Sequence, residues 1–243
     1  MNAQLLSDIL KNSNNIVFFG GAGMSTESGI ADFRSENGLY MTSQGFSYPP
    51  ETMLSHTFFA NHTKEFFKYY KEKMIFKDAL PNAGHRALAK LEKTGKLKAV
   101  VTQNIDGLHQ SAGSKVVYEL HGSVHRNYCT KCHAFYDLDL ITNSAGIPLC
   151  PLCNGIVKPD VVLYEEALDD NVVSGAVRAI QKAEVLIVGG TSLVVYPAAG
   201  LINYFKGNKL VLINKSSTPY DSHADMVIHD LAGKLLGEAA DML

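Results

Sequence analysis

Ile16-Val17-Phe18-Phe19-Gly20-Gly21-Ala22-Gly23-Met24-Ser25-Thr26-Glu27-Ser28-Gly29 decides how the rest of the chain is read. Four consecutive apolar residues ahead of a glycine pair predict a strand buried on both faces, with a tight turn leaving its carboxyl end. A helix starting there would offer free N–H groups and a partial positive charge, which suit a pyrophosphate. The match to the dinucleotide fingerprint is incomplete. Gly21 and Gly23 give G-x-G, but Thr26 stands at the third glycine's place and Met41 about where a ribose-binding acid belongs. Taken alone, the stretch fits an ordinary strand-to-helix turn as well as a phosphate cradle. A redox enzyme clamps the ribose with that acid, whereas an enzyme that consumes the dinucleotide must leave the ribose free to react.

Outward from this turn, residues 99–101, 116–118, 185–188, 210–213 and 226–228 repeat the same continuous, β-branched hydrophobicity. Helical segments are predicted near 3–12, 62–75, 83–94, 168–182, 198–206 and 231–240. Strands covered on both faces and alternating with helices predict an α/β fold, a doubly wound parallel sheet of Rossmann type with ligands beyond the strands' carboxyl ends. Residues 34–80 and 123–157 break the alternation and read as insertions forming a smaller domain. The large domain then takes residues 1–33, 81–122 and 158–243. The 243 residues carry a net charge of −2 with 46% hydrophobic and 19% charged residues, which excludes disorder and argues against wholesale nucleic-acid binding. No apolar run is long enough to span a membrane, and the first residues do not resemble a secretory leader, so a cytoplasmic protein is expected.

Chemistry-bearing residues fall at the predicted ligand edge. Thr102-Gln103-Asn104-Ile105-Asp106 follows the second strand, and Glu119-Leu120-His121-Gly122 follows the third. An imidazole at that edge suits a general base near neutral pH. His109, one turn into a short following helix, reads as structural. Asp32-Phe33-Arg34 offers either a phosphate fork with an aromatic cover or an ordinary surface ion pair. Cys129-x-x-Cys132 and Cys150-x-x-Cys153, 17 residues apart, have the spacing of a four-thiolate zinc ribbon. Disulfides and free thiols are the alternatives there. Cys129-Thr130-Lys131-Cys132-His133 also spells the c-type haem pattern, but haem would leave the second pair unexplained. Residues 64–73 mix lysines with aromatics, and the reading is an amphipathic helix with its aromatics inward, rather than a nucleic-acid surface.

As a set these motifs resemble the sirtuin family of NAD-dependent protein lysine deacylases. Gly21-Ala22-Gly23-Met24-Ser25, Gly29-Ile30-Ala31-Asp32-Phe33-Arg34, Thr102-Gln103-Asn104-Ile105-Asp106, His121-Gly122, the four cysteines, residues 190–197 and Ile213-Asn214 follow the family's order. The resemblance implies NAD as co-substrate, one structural zinc on Cys129, Cys132, Cys150 and Cys153, and an acylated-lysine peptide bound between the domains. It places Gly21, Ala22, Thr26, Phe33 and Arg34 on the cofactor loop, and Gln103, Ile105 and Asp106 around nicotinamide and its ribose. Gly190, Thr191, Ser192, Asn214 and Asp230 would serve the adenosine half. Asn104 would hold a hydroxyl or water at the reacting sugar, with His121 as general base. Val161, Val162, Leu163, Tyr164 and Val194 would bind peptide. The products implied are nicotinamide, O-acyl-ADP-ribose and free lysine. An ADP-ribosyltransferase or NAD hydrolase on the same scaffold is the rival, and a non-catalytic zinc-ribbon module is a third reading.

Three positions depart from the pattern. Ala31 replaces the usual proline, which frees one φ in the cofactor loop. Glu165 stands where glycine is common, beside the substrate strand, and is expected to favour basic peptides. Phe67-Lys68-Tyr69-Tyr70 lacks the Tyr-x-x-Arg pair of members that prefer acidic acyl groups, which favours uncharged chains such as acetyl.

Overall fold

The computed structural model describes residues 1–35, 38–42 and 45–243. Its strands are β1 (Ile16–Gly20), β2 (Leu97–Thr102), β3 (Val117–Glu119), β4 (Gly122–Cys129), β5 (Phe135–Tyr136), β6 (Val157–Val161), β7 (Val185–Gly189), β8 (Lys209–Ile213) and β9 (Met226–Ile228). Its helices are α1 (Asn2–Lys11), α2 (Leu39–Thr42), α3 (Pro50–Met53), α4 (His56–Asn61), α5 (Thr63–Lys73), α6 (Ala83–Lys93), α7 (Leu108–Ser111), α8 (Leu138–Asn143), α9 (Asp170–Lys182) and α10 (Ala232–Asp241). Every predicted strand is present. The segment expected to be helical at 198–206 is a 3₁₀ helix, Ala198–Tyr204.

β3-β2-β1-β7-β8-β9 form one six-stranded sheet, parallel at every pairing. The order reverses between β1 and β7, and in such sheets the crevice at that point receives ligands. The two faces of β1 belong to different cores. Ile16 and Phe18 pack with α1, α6 and α10, while Val17 and Phe19 pack with α9 and the 3₁₀ helix. Burial on both sides is why β1 reads as an unbroken apolar run; its exposure pattern is wholly buried. Side-chain caps fix several helix starts: Asn82 and His85 form a capping box on α6, and Asp169 accepts from Asn171 and Val172 on α9.

A third core lies outside the sheet. Met53, Phe58, Phe59, Phe66, Phe67, Tyr69 and Tyr70 from the first insertion share it with Val124, Ile141 and Val157 from the cysteine-bearing insertion and with Val161 and Leu163 just beyond it. Neither insertion is large enough to bury a core alone, and both contribute to this one. Its antiparallel sheet, β5-β4-β6, runs past residue 157, because β6 pairs with β4 out to Gly122 and Val161. The small unit therefore extends beyond the point where the sequence suggested a return to the large domain. On α5 the four aromatics are buried, and Lys64 and Lys68 face solvent.

Candidate active site and metal centre

The carboxyl ends of β1, β2 and β7 meet at the switch point, and hydrogen bonds tie their loops together. Gly23 donates its backbone N–H to the Gly190 carbonyl at 2.8 Å, and Gly21 donates to Gly189 at 3.3 Å. This approach leaves no room for a side chain: a Cβ on Gly23 would lie 2.9 Å from the Gly190 Cα. Thr26 turns its hydroxyl back to the Gly23 carbonyl at 3.0 Å. The glycine-rich turn is thus built from two short 3₁₀ helices, Ala22–Met24 and Thr26–Ser28, rather than the long helix that a complete fingerprint opens.

Behind the turn, one serine organises the polar cluster. Ser25 Oγ donates to the Asp106 carboxylate at 2.6 Å and accepts from the Asn104 side-chain amide at 3.0 Å. The other Asp106 oxygen accepts the Leu108 N–H at 2.9 Å, and the Asp106 carbonyl accepts from His125 Nε2 at 3.0 Å. Asn104 is held from its other side by Thr102, whose hydroxyl accepts its backbone N–H at 3.0 Å. Ser25 had no assigned role in the sequence. Its position in the glycine-rich motif was the available signal, and partners about 80 positions away give it meaning.

His121 is partly buried in the turn between β3 and β4. Its Nδ1 donates to the Gln103 carbonyl at 2.9 Å. That bond fixes the tautomer and leaves the Nε2 lone pair available. Burial holds its pKa below the ordinary histidine value, against the opposing pull of the Gln103 carbonyl. The imidazole is therefore neutral at neutral pH, as a proton acceptor must be.

The remaining candidates divide by exposure. Thr191 and Asn214 lock β7 to β8: the Thr191 N–H donates to the Asn214 side-chain oxygen, and the Asn214 amide donates to the Thr191 carbonyl, both at 2.8 Å. The Thr191 hydroxyl also reaches the Gln103 side chain at 3.4 Å. Ser192 and Val194 are exposed, Gly190 and Ile105 partly so. Asp230 accepts the adjacent Leu231 N–H at 2.8 Å. Phe33 meets Tyr40 edge-on with ring centroids 5.9 Å apart, and the Arg34 guanidinium lies 5.3 Å above the same ring. Asp32 accepts the backbone N–H groups of Arg34 and Ser35, so a guanidinium partner for it is not needed to explain the turn. Along the peptide segment Val161 and Leu163 point into the small core, whereas Val162 and Tyr164 face outward. The Val162 N–H donates to the His121 carbonyl at 3.0 Å, joining this segment directly to the His121 turn.

Glu165 adopts φ +75°, the left-handed region that explains the family's glycine. Its carboxylate accepts the backbone N–H and hydroxyl of Thr57 at 2.9 and 2.7 Å, which fastens the segment to α4 instead of leaving the charge aimed at a substrate. Glu166 beside it accepts from His56, Lys158 and the Leu163 N–H at 2.8 to 3.1 Å.

The four thiols of Cys129, Cys132, Cys150 and Cys153 have all their sulfurs within 4.8 Å of one another. None is in a disulfide. Thiolates at about 2.3 Å from a tetrahedral zinc sit roughly 3.8 Å apart, and the closest contacts, Cys129 to Cys153 at 3.4 Å and Cys132 to Cys150 at 3.6 Å, suit such an ion. The Tyr136 hydroxyl lies 3.0 Å from the Cys150 sulfur, and the N–H groups of Lys131 and Cys132 point at that of Cys129. Donors of this kind orient thiolate ligands. With all four positions filled by sulfur, such a centre is structural.

Comparison with known proteins agrees with this geometry. Residues 21–197 match the Sir2 family model. The chain is 68% identical to an NAD-dependent protein deacetylase of Clostridium acetobutylicum over 95% of each chain, and 65% identical to one of Clostridium perfringens over 97% of each. A Sir2 with deacetylated p53 peptide and 3'-O-acetyl ADP ribose superimposes with a TM-score of 0.90 at 39% identity, covering 100% of this chain and 98% of that one. A Sir2–p53 peptide–NAD+ structure gives 0.86 at 40%, with the same coverage. The chain belongs to the Sir2 family.

Proposed function

We propose that this protein removes acetyl groups from lysine side chains of proteins, consuming NAD and releasing nicotinamide, O-acetyl-ADP-ribose and free lysine. The observation that carries the reading is His121: a neutral imidazole, tautomer fixed by the Gln103 carbonyl, beside the linked side chains of Asn104, Ser25 and Asp106 at the sheet's switch point.

In this reading Gly21, Ala22, Thr26, Phe33 and Arg34 hold the dinucleotide's pyrophosphate side. Gly190, Thr191, Ser192, Asn214 and Asp230 take the adenosine end, and Gln103, Ile105 and Asp106 surround nicotinamide and its ribose. Loss of nicotinamide leaves an oxocarbenium-like carbon, which the acetyl oxygen attacks. His121 then takes a proton from a ribose hydroxyl, and that oxygen closes on the acyl carbon; the lysine C–N bond breaks, the nitrogen leaving as a protonated amine, and one water adds at the acyl carbon, so that the acetyl group stays on the ribose. Asn104 orients a hydroxyl or water at the same sugar. Val162, Tyr164 and Val194 bind the peptide from either side, and Val161 and Leu163 anchor the strand from within the small core. Zinc, when held by the four cysteines, fixes the fold of the small domain and takes no part in the chemistry. The buried Phe67 and Tyr70 offer no cation to an acyl carboxylate, so acetyl is preferred over dicarboxylic acyl chains.

Incubation with NAD and an acetyl-lysine peptide tests the proposal. Nicotinamide released only when peptide is present supports it; release without peptide points to a hydrolase or ADP-ribosyltransferase, and no release refutes all three. His121→Ala is expected to lose at least about 10²-fold in deacetylation, the usual contribution of a general base, while NAD binding persists. Turnover like that of the unaltered protein would remove His121 from the mechanism.

A further inference from the structure

Tyr40 joins two parts of the site that the chain places far apart. Its backbone N–H donates to the Phe33 carbonyl at 3.0 Å, and the neighbouring Leu39 N–H donates to Asp32 at 2.8 Å. Its ring supports Phe33 edge-on and Arg34 from above. Any movement of Tyr40 is therefore passed to the aromatic and the guanidinium of the cofactor loop. Ala31 strengthens that dependence, because without proline's fixed φ the loop relies more on the contacts it makes.

The Tyr40 hydroxyl lies 3.2 Å from the hydroxyl of Tyr164. Each phenol hydroxyl can donate or accept, so either one serves as donor in this pair. Tyr164 is itself fixed by its main chain: its N–H donates to Leu54, and its carbonyl accepts from His56, both at 3.0 Å. Its ring remains 37% exposed on the outward side of the peptide segment.

We propose that the Tyr164 and Tyr40 hydroxyls couple the peptide strand to the cofactor loop, so that a bound acetyl-lysine peptide and NAD raise each other's affinity through this contact. The proposal rests on the deacetylase reading above. A peptide laid along Val162 and Tyr164 covers the exposed ring and removes water from the hydroxyl pair. A hydrogen bond in a drier setting is stronger. That holds Tyr40 in place and, through it, Phe33 and Arg34 in the arrangement that accepts a dinucleotide. Tyr164 and Tyr40 are positioning residues, and by linkage the effect is reciprocal.

The test uses the full-length protein, with NAD affinity measured calorimetrically in the absence and presence of saturating acetyl-lysine peptide. The ratio of the two affinities is the coupling. One net hydrogen bond corresponds to roughly a two- to tenfold factor, so Tyr164→Phe is expected to reduce the coupling by that much and leave peptide-free NAD affinity unchanged. Tyr40→Phe should do the same. The double variant should be no worse than either single one, because each removes the same bond. Equal coupling in Tyr164→Phe and the unaltered protein overturns the proposal, as do additive losses in the double variant. A protein that deacetylates but shows no coupling at all overturns this proposal and leaves the deacetylase reading intact. Absence of peptide-dependent nicotinamide release instead removes the reading beneath it.

Discussion

Gly122 follows the candidate base directly, and replacing it with alanine tests how tightly that base is held. Two costs separate. The residue has φ +75°, a conformation that charges a β-carbon about 1–2 kcal/mol. An alanine Cβ would also lie 1.9 Å from the Asp160 carbonyl oxygen, where ordinary contact begins at 3.4 Å. β4 and β6 would have to part by about 1.5 Å at the Gly122 and Val161 pair, an overpacking cost of about 1–3 kcal/mol. The sum is about 2–5 kcal/mol, and about 3 kcal/mol corresponds to a fall of roughly 6–12 °C in Tm for a chain of this size. The same shift disturbs the His121 carbonyl, which accepts the Val162 N–H. A misplacement of about 1 Å can cost about 10²-fold in rate, so kcat/KM should fall by that order. Two further alanines calibrate the result. Gly95 shares φ +75° with nothing within 4 Å of its would-be Cβ, and Gly146 has open space and an ordinary φ. Thermal unfolding should rank Gly146→Ala as nearly neutral, Gly95→Ala as moderately destabilised and Gly122→Ala as most destabilised. If Gly122→Ala matches Gly95→Ala to within about 0.5 kcal/mol, the close approach of β6 is not a constraint and the argument from it fails.

Prolonged treatment with a strong chelator should selectively unfold the small domain, where the thiol cluster joins β4 to the segment before β6; a melting profile unchanged by chelation would refute a structural metal. Acid should weaken the fold through two buried histidines. Burial pushes His109 down to about 3, with His85 beside it adding to the effect, and burial pushes His85 down to about 4. Unfolded histidines titrate near 6.5, so between about pH 6.5 and 4 the unfolded chain binds more protons and stability is lost as pH falls, by about 1.4 kcal/mol per pH unit for each ring. His109→Leu should flatten that slope by one such share in denaturant titrations at several pH values, and an unaltered slope would show that His109 does not carry it.

The large sheet was legible because its strands are buried on both faces, which prints an unbroken apolar run that no surface element shares. α5 was legible for a related reason: Phe66, Phe67, Tyr69 and Tyr70 fall at helical spacing on one buried face. The short helices α2, α3 and α4 left no such signature, being four to six residues long, and α3 and α4 pack on a core assembled with the other insertion. The limits of the small sheet were also hidden, since β6 alternates buried and partly buried residues and passes through Pro159, which reads poorly as a strand interior.

At the site, residue types were readable and the connections between them were not. The cysteines announced themselves by spacing, because a tetrahedral ion needs paired thiolates on tight turns and two such turns suffice. Glu165 shows the opposite case. A side chain at a left-handed position carries a backbone cost of about 1–2 kcal/mol, which its two bonds to Thr57 work against. Replacing it with the glycine common in the family relieves the backbone and forfeits the tether, so the two effects on stability oppose each other. What remains different is geometry: without the tether the segment carrying Tyr164 loses its link to Thr57 and is held by its main-chain bonds to Leu54 and His56, the Glu166–His56 bond and the Tyr164–Tyr40 contact. The chain thus has a fastened turn next to Tyr164, whose hydroxyl meets that of Tyr40, and nothing in the residues around position 165 could reveal it, because the partner of Glu165 lies 108 positions earlier in the chain.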